Sequence, residues 1–92
     1  MDKQVIDFME KCAEVLIRGY VDEQYIKTSG TKEEIRAGLG PIVSKLSDEE
    51  LTSHLESHPL FKFLLDFIKS TKPEVLQNFI AELRSTILEK VG

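Results

Sequence analysis

Few residues in this chain have the types and spacing that chemistry demands, and the best of them are two histidines. His54 and His58 stand four apart, with Glu50 four residues before His54. On one helix the three would share a face, a spacing that can supply metal ligands. A structural zinc takes about four ligands, and the nearest soft donor, Cys12, falls on the apolar stripe of another segment. A solvated polar face opposite Leu51 and Leu55 accounts for the same spacing. It also sets His58 near the negative end of a helix dipole, where a cation is welcome. No metal and no cofactor is expected.

The other candidates are weaker. Cys12 lies between Met9 and Leu16, beside Glu10 and Glu14. A reactive thiolate needs an electropositive or helix-start setting, so Cys12 reads as a small core residue. Gly38-Leu39-Gly40 lacks the third glycine, preceding strand and following lysine of a nucleotide-binding loop, and reads as a hinge or a close helix contact. Asp48, Glu49 and Glu50 are adjacent in what should be a first helical turn, where acids stabilise the dipole. Neither the alternating acids of a calcium loop nor two acids in an apolar setting are present. The expectation is that the chain is not an enzyme.

Composition narrows the classes further. The 92 residues are 41% hydrophobic and 30% charged, the profile of one small globular domain spanning residues 1–92. A chain of this size buries roughly 60–65% of its unfolded surface, so one core is feasible and a deep cleft beside it is not expected. Net charge is −4, and the acidic excess lies in residues 1–58, while residues 59–92 carry five basic and four acidic groups. Basic residues are scattered singly, which argues against nucleic acid, whose binding relies on clustered Lys and Arg. A single cysteine permits no internal disulfide. The N-terminal stretch mixes acids with apolar residues, unlike a signal peptide, and no apolar run approaches the ~20 residues of a membrane span. A cytoplasmic protein is the simplest expectation.

The elements that must position these residues are all helical. Val5, Phe8, Met9, Cys12, Leu16 and Tyr20 recur at three- and four-residue steps, giving a helix over 3–19 with Asp2 at its N-cap and Asp7 and Glu10 near its positive end. Val21, Tyr25 and Ile26 could extend it before Thr28-Ser29-Gly30 breaks the pattern. Thr31 with Glu34, Ser47 with Glu50 and Thr71 with Glu74 each match the capping box. Pro41 should kink or restart the helix within 32–46, with Pro41 well suited to a first helical position. Leu51 and Leu55 anchor a short, largely exposed helix that stops before Pro59. The spacing therefore predicts an all-α, compact bundle of about five short-to-medium helices. Segment 59–69 is its centre, and 73–91 is the longest amphipathic helix with 3–19.

The segment 59–69 is the informative one. Its apolar residues cover almost every direction, leaving Lys62, Asp66 and Lys69 as one polar line. A helix of that kind is buried on most of its surface, either as a pillar within one chain or as half of an interface. Periodicity does not separate the two. If it is an interface, the contact residues are Phe61, Phe63 and Phe67 with Leu76, Phe79, Ile80 and Leu83 of the following segment. The function expected on that reading is a non-enzymatic protein-interaction or adaptor module that grips a protein partner or pairs with itself as a homodimer. The alternative from another class is a small nucleic-acid-binding regulator using a weak basic patch of Lys62, Lys69, Lys72 and Arg84. A helix-turn-helix reading of 73–91 fails on its mixed face, where Glu74, Glu82 and Glu89 accompany Arg84 and Lys90.

Leu64-Leu65, a short turn, then Pro73, Leu76, Phe79, Ile80 and Leu83 resemble the dimerisation-and-docking hairpins of kinase regulatory subunits and related scaffold proteins. The resemblance covers under a third of the chain and rests on apolar spacing. It departs from the pattern in a turn with a single proline and in Arg84 at an expected apolar position. What it implies is a four-helix dimer that docks an amphipathic partner helix.

Overall fold

Caps and prolines set most of the helix boundaries. The computed structural model describes residues 3–92, so the expected Asp2 cap lies outside the described residues. Among the described residues there are six helices and no strand: α1 Lys3–Lys27, α2 Lys32–Ala37, α3 Leu39–Lys45, α4 Asp48–Glu56, α5 Pro59–Thr71 and α6 Pro73–Val91. The all-α bundle is as expected.

The first helix runs straight through Gly19 and ends at Lys27, eight residues beyond the expected stop. An interior glycine costs a helix about 1 kcal/mol, and burial of Tyr20 and Val21 just beyond it offsets that cost. Among the described residues no acid falls in the first turn of α1, and Asp7 and Glu10 lie beyond it. At 32–46 the chain forms two helices, and the break falls at Gly38 and not at Pro41. The ring of Pro41 would meet the carbonyl four residues back, so a continuous helix must open before it. Pro41 then sits third in α3, inside the first turn, where no intrahelical N–H partner is needed. Gly38 closes α2 by donating its N–H to the Glu34 and Ile35 carbonyls, both at 3.1 Å.

Of the three expected capping boxes, one is complete. Ser47 Oγ accepts from the Glu50 N–H and the Glu50 carboxylate accepts from the Ser47 N–H, each at 3.1 Å. Thr31 accepts from the Glu34 N–H at 3.2 Å; its hydroxyl then donates to the Glu34 carboxylate, which takes the place of the return bond. The third does not form: Thr71 is the last residue of α5 and donates to the Phe67 carbonyl. Lys72 alone separates α5 from α6. Its backbone leaves the helical region (φ −146°, ψ 79°), as a residue before proline is biased to do, and Pro73 starts α6.

The core lies between α1 and α6. Phe8 meets Phe79 near the start of α6, and Glu14 meets Lys90 near its end, so the two helices run in the same sense. Met9, Cys12, Leu16, Ile17 and Tyr20 of α1 and Ile80, Leu83, Ile87 and Val91 of α6 are buried, with Leu39, Val43, Leu51 and Leu55 of α3 and α4 completing the core. The segment 59–69 is not the centre. Of the thirteen residues of α5, Leu65 alone is buried. The apolar stripes of α1 and α6 meet each other and the short helices fill the remaining sides, which leaves α5 laid along α4 and α6 at the edge.

Candidate interaction surface

Helix α5 has apolar residues around more than half its circumference, and the fold covers one side of that arc. Leu65 faces the core at 2% exposure, and Phe61, Leu64 and Ile68 beside it are half-buried. Phe61 meets the edge of Phe8 at 6.0 Å between ring centres, and Phe8 in turn meets Phe79 at 6.2 Å. The other side carries Leu60, Phe63 and Phe67, a stripe with three- and four-residue steps, exposed by 68%, 71% and 62%. Three large apolar side chains in one row leave roughly 300–400 Å² of hydrocarbon in water, using typical areas for such residues. Single exposed leucines are ordinary; a contiguous row of this size is on the order of the largest apolar patch of a typical monomer, which is often functional.

Beside the stripe runs the polar line, which is internally neutralised. Lys62 Nζ donates to Asp66 at 3.0 Å, and this bond raises the Lys62 pKa. Lys69 is held by Glu56, from the end of α4. Arg84 donates to Asp48 and to the Val43 carbonyl, both at 2.8 Å, tying α6 to the start of α4 and giving a carbonyl that already accepts the Leu46 N–H a second donor. Three of the four basic residues of the supposed patch are thus engaged by acids of their own chain, and Lys72 is exposed at the α5–α6 junction.

The remaining sequence candidates are dispersed. Ile80 and Leu83 are core residues at 1% and 0% exposure, so neither is available to a partner. Leu76 and Phe79 are half-buried against the core, which leaves Phe63 and Phe67 as the open members of the expected set. Leu60, which the same spacing would have found, belongs with them. The resemblance to docking hairpins required a free apolar face on both helices; here the stripe of α6 is buried within the chain.

The histidines take separate tasks. His58 is the N-cap position of α5 and lies beyond the end of α4, packed against Phe61 at 5.7 Å between ring centres. His54 shares a 2.9 Å hydrogen bond between Nδ1 and the buried Tyr20 hydroxyl. Glu50 is occupied by the Ser47 cap, whose backbone N–H holds its carboxyl below the ordinary value. Among the described residues no three His, Cys, Asp or Glu side chains are grouped to hold a metal. Burial pushes the Cys12 thiol up to about 11, which leaves it protonated and inert at neutral pH. Burial, with Glu23 nearby, likewise pushes the Tyr20 phenol up to about 12. Among the described residues no helix is long and apolar enough to cross a membrane.

Set against models of known families, curated proteins and solved structures, the chain matches none.

Proposed function

We propose that the chain is a non-enzymatic protein-interaction module, acting in the cytoplasm, whose contact surface is the outer face of α5. One observation carries this reading: Leu60, Phe63 and Phe67 stand in a row on one helix with about two thirds of each residue open to water. Keeping such a stripe in water is unfavourable by about 25 cal/mol per Å², so a partner that covers it gains that free energy. The partner that fits is an amphipathic helix, whose apolar residues repeat with the same steps and seat between the rings.

Selection from a displayed library of amphipathic helices tests the reading. The library is passed over the wild-type chain and over the Phe63→Asp/Phe67→Asp variant, whose changes fall on exposed positions. The expected result is a set of peptides with apolar residues at three- and four-residue spacing, held by the wild type and weakened at least tenfold by the variant. Recovery of no peptide by a chain that also stays monomeric, or of the same peptides on both proteins, overturns the reading.

A further inference from the structure

We infer that the partner of the α5 face is a second copy of the chain, packed so that the two α5 helices run antiparallel about a two-fold axis at the level of Leu64. This rests on the reading of α5 as a contact surface and adds its occupant and register.

The outer face of α5 is complementary to itself. Leu60, Phe63 and Phe67 span two turns of α5, and their midpoint along the helix lies between Phe63 and Leu64. Asp66 and, one step further round, Lys62 lie on the flank beyond Phe63, and their midpoint along the helix is Leu64 itself. An antiparallel two-fold through that level leaves this flank on the same side of both helices. It sets Leu60 of each copy near Phe67 of the other and the two Phe63 rings near the axis. It also brings Lys62 of each copy level with Asp66 of the other, because both lie two residues, about 3 Å of rise, from the axis. The basic and acidic groups that pair within one helix at 3.0 Å can then pair across the contact. A parallel pairing puts the two charged flanks on opposite sides of the interface, where neither finds a partner.

Charge on the larger scale agrees. The chain carries −4, but the charged residues of α5 itself are Lys62, Asp66 and Lys69, so the helix that meets its copy carries no acidic excess to drive the two apart. Two stripes of roughly 300–400 Å² with their polar rims bury on the order of 1,200 Å² in total, the low end for a specific interface. An interface of this size belongs with weak, reversible associations.

Sedimentation equilibrium on the full chain tests this. The mass of the wild type should rise from the 10.5 kDa monomer towards twice that value with concentration. Lys62→Glu and Asp66→Lys, at exposed positions that leave the helical signal unchanged, should each weaken association about tenfold. The double variant Lys62→Glu/Asp66→Lys should restore it to within about twofold. Association that ignores both single reversals overturns the antiparallel register. A constant monomer mass, alongside peptides selected by the wild-type face, overturns the self-pairing and leaves the interaction module standing. A constant monomer mass with no selected peptide overturns both.

Discussion

Truncating Leu65 and Phe63 to alanine, one at a time, separates the inner from the outer side of α5. Leu65 is 2% exposed and sits in the core cluster. Leucine-to-alanine changes at such sites cost about 2–5 kcal/mol, and a helix at the edge, where neighbours can close in, belongs at about 2–3 kcal/mol. For a domain of this size each kcal/mol moves the melting temperature by about 4–8 °C, so Leu65→Ala should lower it by roughly 10–20 °C. Phe63 is 71% exposed, so it realises less than a third of its burial free energy in the monomer. That amounts to roughly 0.5–0.8 kcal/mol, and the higher helix propensity of alanine returns about 0.5 kcal/mol. Phe63→Ala should therefore leave the melting temperature within about 3 °C of wild type. Thermal melts by circular dichroism, on dilute protein so that association does not contribute, supply both values. A loss for Phe63→Ala as large as that for Leu65→Ala would place the ring in the core and refute the account of α5.

Other consequences are open to simpler assays. Gly19 has no positive φ, and a Cβ built on it meets nothing within 4 Å. Gly19→Ala should stabilise the protein by about 0.5–1 kcal/mol in urea unfolding. Glu14 and Glu50 have lowered pKa values, from the hydrogen bond of Arg36 and the backbone bond of Ser47 respectively. A lowered folded pKa gives stability that is present above the unfolded value of about 4.5 and lost as pH falls through the folded value. The melting temperature should fall below pH 4.5, and less steeply in Glu14→Gln/Glu50→Gln; an unaltered slope in that variant would contradict the assignment. Cys12, with its thiol at about 11 and no exposure, should resist a thiol reagent at pH 8 in the native protein and react fully in denaturant.

Local chemistry made much of this legible in the sequence. Ser47 and Glu50 close the expected capping box because every group they need lies within one turn. The stripes of α1 and α6 were readable from their period because both are buried on one side. Thr71 was misread because a matching pair of residues says nothing of whether the preceding helix has ended; here α5 keeps Thr71 for itself. The place of α5 was beyond periodicity for a related reason. A helix apolar over most of its circumference does not record which side its neighbours take, and α1 and α6 satisfy each other first. Arg84 was equally opaque, since the Val43 carbonyl it meets is 41 residues away. The open stripe could have been narrowed to Leu60, Phe63 and Phe67 once Leu65 was known to face inward, because the three then follow from helical geometry alone.

On the proposed function, the outer face of α5 is open in the single chain and covered when the protein binds. The five phenylalanines, Phe8, Phe61, Phe63, Phe67 and Phe79, report on it together through aromatic NMR spectra with a soluble paramagnetic agent. In dilute protein the account predicts strong broadening of Phe63 and Phe67 and much less of Phe8, Phe61 and Phe79; in concentrated protein, protection should appear at Phe63 and Phe67 alone. Rings at 63 and 67 as shielded as Phe61 in dilute protein, or equally open at every concentration and with every selected peptide, would contradict it.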